Sequence, residues 1–173
     1  LSYAFLALVL YLMHRHAEKR RTPLWLLPVI FLIWANCHSL FVLGWAVLGC
    51  FVVGAWLRDR RLDRPLIGWS VASVAVTIVN PYGYKGIIFP FTLATRLAES
   101  NVFAQSIGEF QSPFNLPLSA ARPFHPWTPI VAFLILFGVV LCSLPQLLRH
   151  RRYAAVLLAI PFLYLSAGMV RNI

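Results

Sequence analysis

The sequence has few acidic residues, few cysteines and little charge of either sign. Only 5 of its 173 residues are Asp or Glu, and charged residues make up 12% of the chain. Soluble domains carry about a quarter charged residues, so this composition leaves too little polar surface for a soluble domain. Cys37, Cys50 and Cys142 lie in apolar stretches without a CxxC spacing, which gives no sign of a metal site or a disulfide framework.

Apolar residues make up 60% of the chain, and its mean hydropathy is +0.76. This content excludes disorder, because the chain has ample apolar surface to bury. We therefore predict an all-α fold, a polytopic transmembrane helical bundle in which every backbone polar group is satisfied within a helix. Leu1 and Ile173 lie in or beside apolar runs, which predicts a single transmembrane domain over 1–173 that is truncated at both ends.

Basic residues are concentrated in three short segments, 14–23, 58–64 and 149–152, which hold eleven of the 15 Lys and Arg residues. The positive-inside rule predicts that all three loops are cytoplasmic. The net charge of +10 then reports orientation in a membrane. We accordingly expect membrane lipid as a partner and no nucleic acid.

The stretch between the first two basic loops, 24–57, contains no charged residue. It must cross the membrane an even number of times, yet it is short for two spans of about 20 residues each. The polar residues at 36–39 divide it, which predicts a helical hairpin or a half-helix followed by a full helix. A turn of this kind at membrane depth has to be buried in protein or face a wet cavity.

The remaining segments complete a bundle of about five to six crossings. After an outward span over 65–79, a long outer loop is predicted over 80–127, with a short amphipathic helix on the membrane surface at 91–100. Spans over 128–148 and 154–170 then return inward and go out again. With these spans, all three basic loops fall on the cytoplasmic side of the membrane.

Asn36 and His38 are the first candidate site residues, because they interrupt an otherwise uncharged apolar stretch. Polar groups within a membrane are costly and often functional, and a histidine can bind a phosphate or move a proton. The alternative is that the two side chains cap helix ends and form hydrogen bonds between helices.

Glu109 is the second candidate, a carboxylate in the outer loop that could bind a substrate hydroxyl, act as a general base or bind a metal. Its alternative role is an ion pair with Lys85, Arg96 or Arg122. These three, with Arg171, are the basic residues outside the cytoplasmic loops. An arginine there could hold a lipid phosphate in a bidentate manner, or its side chain could simply reach the head groups.

Four stretches together resemble a family of bacterial polytopic membrane proteins. Residues 34–40 with Gly44 resemble its W-x-N-x-H-G-G-x-x-x-G signature, 80–83 its N-P-Y-G element, and 109–113 its E-W-x-S-P element. Arg171 and Asn172 resemble an arginine near the end of its conserved part. These proteins are classed with the GT-C glycosyltransferases, which use polyprenyl-phosphate sugars. This chain departs from them where His-Gly-Gly becomes His-Ser-Leu and Glu-Trp becomes Glu-Phe.

The resemblance implies a GT-C-like enzyme of the bacterial cytoplasmic membrane that transfers a sugar from a lipid-phosphate donor at the outer face. It also implies a catalytic acid in a first outer loop upstream of Leu1, so no catalytic residue is assigned here. Asn36, His38, Glu109 and Arg171 would then contact donor phosphate or acceptor, with Lys85, Arg96 and Arg122 as secondary candidates. No cofactor and no metal ligand is assigned.

Two other classes of function remain open at this point. A transporter or flippase of a lipid-linked or anionic solute would explain a broken helix pair with a polar turn, which is a common transporter feature. A structural membrane subunit would predict that His38→Ala and Glu109→Ala leave the activity of its assembly unchanged.

Overall fold

The structure, a computed structural model, describes residues 1–98 and 127–168, with side chains for 1–92 and 133–164. These residues form seven α-helices and no strand, which confirms the all-α prediction. The helices are α1 (Ser2–Ala17), α2 (Leu26–Cys37), α3 (Phe41–Asp59), α4 (Arg64–Val76), α5 (Tyr84–Ala98), α6 (Trp127–Arg149) and α7 (Tyr153–Gly168). The chain divides into two compact units, unit 1 (1–95 with 153–155) and unit 2 (96–152 with 156–173).

In unit 1 the first four helices run alternately up and down, with α1 packed mainly on α3 and α2 mainly on α4. Arg58 Nη1 donates to the Ala17 carbonyl at 3.1 Å, so the end of α3 meets the end of α1. At the other end, the Trp34 indole donates to the Ser2 hydroxyl at 3.1 Å. The first two basic loops therefore lie at one end of unit 1, as predicted, while the side of a membrane that they face stays a prediction.

The turn between α3 and α4 is specified by the local sequence. Arg60 ends α3 in a left-handed conformation with φ of 52°. Asp63 then caps α4, because its carboxylate accepts a hydrogen bond from the Leu66 amide at 3.1 Å. Pro65 stands in the first turn of α4, where its missing N–H costs nothing.

The core of unit 1 is aromatic where α2 meets α3. Phe31, Trp34 and Phe41 are almost completely buried, and Phe5 stacks on Trp34 with ring centroids 5.8 Å apart. Gly44 permits this approach, since a Cβ there would lie 2.6 Å from Phe31 Cζ and 2.8 Å from Trp34 Cζ3.

The uncharged stretch 24–57 forms the predicted hairpin, in which α2 is the short half and α3 the full helix. Within the described part of the chain, α3 alone is long and apolar enough to cross a membrane, judged by length and composition. Shorter apolar helices cover Leu26–Cys37, Phe133–Arg149 and Tyr153–Tyr164. The number of crossings, five to six, and the polytopic bundle stay predictions.

The surface helix predicted over 91–100 begins earlier in the structure, while the outer position of the loop over 80–127 stays a prediction. Helix α5 begins at Tyr84, so residues 84–90 are helical as well as the predicted surface helix from 91. The chain can start this helix early because Asn80 closes a tight turn just before it. Residues 99–126 lie outside the described residues. In unit 2, α6 corresponds to the predicted span over 128–148.

Candidate functional site

Two polar turns meet at the end of unit 1 away from the basic loops. We call this the polar end, residues 36–40 and 79–85. The Asn36 amide donates to the Val79 carbonyl at 2.9 Å and to the Leu32 carbonyl at 2.8 Å. One side chain in the last turn of α2 thus reaches the turn after α4. This hydrogen bond is of the kind that the alternative role of Asn36 describes, and a role in a binding site stays a prediction.

The second turn is organised by Asn80. Its Nδ2 donates to the Thr77 carbonyl at 2.8 Å and to the Gly83 carbonyl at 3.2 Å, while its Oδ1 accepts from the Tyr82 amide at 2.8 Å. Gly83 has φ of 54°, a left-handed conformation that favours glycine. The turn leaves Tyr82 exposed at the polar end.

His38 is exposed at the same end, directly after the last residue of α2. Its Nδ1 accepts a hydrogen bond from the Leu40 amide at 3.2 Å, which fixes the proton of a neutral ring on Nε2. Among the described residues Nε2 has no hydrogen-bond partner, so it is available as a donor. Lys85 is also exposed, in the first turn of α5.

The polar end contains no carboxylate within the part of the chain that the structure describes. Glu18, Asp59 and Asp63 all lie at the opposite end of unit 1. The described groups here are therefore neutral or cationic, and they suit binding an anionic group.

Several candidate residues are not placed. Glu109, Arg122 and Arg171 lie outside the described residues, and so does the side chain of Arg96, whose backbone belongs to α5. The pairing of Glu109 with Lys85 therefore stays a prediction. Of the sequence-predicted set, the structure brings Asn36, His38 and Lys85 to one end of unit 1.

The sequence prediction missed the bonds that join the two basic loops. His16 Nε2 lies 2.7 Å from Asp63 Oδ2, and Asp63 is at the same time the cap of α4. The signal was present in Asp63-Arg64-Pro65, since an acid two residues before a proline is typical of a helix start. Its partner in α1, 47 residues earlier in the chain, could not be read from the sequence.

Unit 2 has a cleft of about 480 Å³ at the end of α6. It is lined by Ser143, Gln146, Leu147, His150 and Arg152. His150 and Arg152 belong to the third basic loop, whereas Ser143 and Gln146 lie in α6. They are mostly exposed, so the cleft is open to solvent.

Comparisons with known proteins give no match: no family model fits the chain, and no curated protein and no solved structure is significantly similar to it.

Proposed function

We propose that this chain is part of a polytopic membrane glycosyltransferase of GT-C-like type, which uses a polyprenyl-phosphate sugar as donor. The polar end of unit 1 binds the donor phosphate, and the basic loops face the cytoplasm of a bacterial cell. The proposal rests on the residue patterns described above and on one structural observation.

That observation is the hydrogen bond that the Asn36 side-chain amide donates to the Val79 carbonyl. The two stretches 34–40 and 80–83 each resemble a separate element of the GT-C-like family and lie far apart in sequence. The bond joins the first stretch to the residue directly before the second. Their proximity at one end of unit 1 supports a single site there. The composition and the apolar helix α3 support a location in a membrane.

The chemistry of the polar end fits the phosphate of such a donor. His38 Nε2 can donate to a phosphate oxygen, and Lys85 at the start of α5 supplies positive charge at the same end of unit 1. The exposed phenol of Tyr82 can donate to a phosphate or sugar oxygen. The role of these residues in the reaction is to bind and orient the donor, with the proton acceptor supplied from elsewhere in the protein.

The test is sugar transfer by the intact protein in proteoliposomes, with a panel of radiolabelled polyprenyl-phosphate sugars. We expect His38→Ala to reduce transfer at least tenfold, because a charge-assisted hydrogen bond to the donor is lost. His14→Ala is the matched control, since His14 is an exposed histidine at the opposite end of unit 1. It should change transfer less than twofold.

Two outcomes would contradict the proposal. Equal transfer by the wild-type protein and by His38→Ala would show that the polar end is not part of the donor site. Movement of the lipid-linked sugar across the bilayer without transfer to any acceptor would favour the transporter or flippase.

A further inference from the structure

The cationic surface at the other end of unit 1 is built from the first two basic loops. We call this the basic end, residues 14–21 and 58–64. It contains eight Lys and Arg residues and three acids. Two contacts hold these loops side by side. They are the hydrogen bond from Arg58 to the Ala17 carbonyl and the hydrogen bond between His16 and Asp63.

Every acid at the basic end is already engaged within the protein. Glu18 pairs with His14 at 3.0 Å and with Arg20 at 2.9 Å. Asp59 pairs with Arg58 at 2.9 Å. Asp63 is shared between His16 and the amide that it caps.

Five cations therefore remain exposed without an ion pair among the described residues. They are Lys19, Arg21, Arg60, Arg61 and Arg64. Since the loops are fixed by internal bonds, these charges are concentrated on one surface before any partner arrives. A surface of this kind attracts a polyanion or an anionic membrane.

The positions of the tryptophans favour a membrane over a soluble polyanion as the partner of this surface. Trp25, Trp56 and Trp69 stand within about two turns of the basic loops, and they are 55%, 43% and 40% exposed. Trp34, near the polar end, is 0% exposed. Exposed tryptophan collected at one level of a helical bundle is typical of the boundary between lipid tails and head groups.

Two of the basic side chains are held against aromatic rings at this level. The Arg60 guanidinium lies 5.7 Å from the centroid of the Trp56 ring, and Arg15 lies at the same distance from the Tyr11 ring. The contacts place positive charge directly beside rings that prefer the head-group region.

We infer that the basic end binds the head groups of anionic phospholipids, with a phosphate whose charge is not balanced by an amine as the recognised chemistry. Trp25, Trp56 and Trp69 lie at the level of those head groups. This inference rests on the membrane location in the proposed function, but it concerns the opposite end of unit 1 and requires no sugar transfer.

The experiment uses the full chain in neutral detergent micelles, titrated with phosphatidylglycerol or phosphatidylcholine that carries a dansyl group on an acyl chain. Energy transfer from tryptophan reports binding. We expect the wild-type protein to bind phosphatidylglycerol at least tenfold more tightly than phosphatidylcholine. The variant R60Q/R61Q/R64Q should reduce that preference below threefold, since each basic residue near an anionic surface contributes roughly fivefold.

The matched variant R60K/R61K/R64K retains the charge at the same positions and should keep most of the preference. Salt at 1 M should remove it in every protein, because exposed charges are then screened within about 3 Å. Thermal unfolding of each variant in lipid-free detergent checks that the fold is intact, and folded R60Q/R61Q/R64Q with an unchanged preference would overturn the inference.

Competition distinguishes a lipid surface from other anions. Inorganic phosphate or an RNA oligonucleotide, at the phosphate concentration of the lipid, should displace less than a tenth of the bound phosphatidylglycerol. Full displacement by either would overturn the assignment to lipid. A wild-type protein that prefers phosphatidylglycerol but transfers no sugar supports this inference and contradicts only the proposed function.

Discussion

At the basic end of unit 1 the helices are joined by charged side chains, whereas at the polar end they are joined by close aromatic packing and by a neutral amide. The basic end depends on Arg58 and on the His16–Asp63 pair. The polar end depends on Gly44, which admits the Phe31 and Trp34 rings, and on Asn36. The same bundle is therefore sensitive to salt at its basic end and largely insensitive to it at its polar end.

The largest expected effect comes from the packing near the polar end. Gly44→Val should reduce the free energy of unfolding by about 3 kcal/mol, because overpacking a tight core forces its side chains and backbone to shift. A Cβ at this position would overlap two rings that are 0% exposed. The measurement is unfolding by SDS in mixed micelles, followed by circular dichroism.

Gly49→Val is the control for that change, since a Cβ at Gly49 would meet no atom within 4 Å beyond its chain neighbours and its own helix backbone. It should change the free energy of unfolding by less than about 0.5 kcal/mol. Equal losses at Gly44 and Gly49 would show that α2 and α3 do not pack as described.

The next largest effect is expected at the basic end. Asp63→Ala removes both the cap of α4 and the partner of His16, and we expect a loss of about 2 kcal/mol in the same assay. Asp63→Asn should lose about half as much, because an asparagine can still cap the helix.

Asp59→Ala is the matched control at the basic end. Asp59 is exposed and pairs with the adjacent Arg58, and exposed ion pairs contribute less than about 1 kcal/mol. A loss at Asp59 as large as that at Asp63 would contradict the role assigned to the cap and its histidine partner.

Asn36→Ala is expected to reduce the free energy of unfolding by about 1 kcal/mol, since two hydrogen bonds are lost at an exposed position. Cys37→Ala, at the next exposed position of the chain, should have a smaller effect. Backbone amides near Val79 should exchange their hydrogens faster in Asn36→Ala than in the wild-type protein. Unchanged exchange there would disprove the hydrogen bond from Asn36 to Val79.

Salt should produce the smallest change and separate the two ends most directly. Raising salt from 0.1 M to 1 M should stabilise the wild-type protein by about 0.5 kcal/mol, because repulsion among the unpaired cations of the basic end is screened more than its few ion pairs. The effect should grow in Asp63→Ala, which removes an acid from that surface, and stay unchanged in Asn36→Ala. The reverse pattern would contradict the comparison between the ends.

The helical class and the hairpin of 24–57 could be predicted because the sequence carries them locally. An uncharged apolar stretch with a single polar break leaves few other solutions, and the basic clusters mark where helices end. The start of α5 was misplaced because 80–90 reads as a loop rich in turn residues. Its turn is complete by Gly83, after which the chain is helical.

The contacts within the candidate site could not be predicted in the same way. The residue types at Asn36 and His38 pointed to a polar site, but the partner of Asn36 is a backbone carbonyl 43 residues away. Backbone acceptors are present at every position, so the sequence does not single one out. Glu109 and Arg171 stay predictions from the sequence.

In the proposed membrane location, the unequal lengths of α2 and α3 have a consequence for the lipid around them. With a rise of about 1.5 Å per residue, the 12 residues of α2 extend roughly 18 Å and the 19 residues of α3 roughly 28 Å. Only the longer helix approaches the hydrocarbon thickness of about 30 Å. In a bilayer, lipids with shorter acyl chains would match the side of the protein formed by α2, and the local thinning would bring water closer to His38.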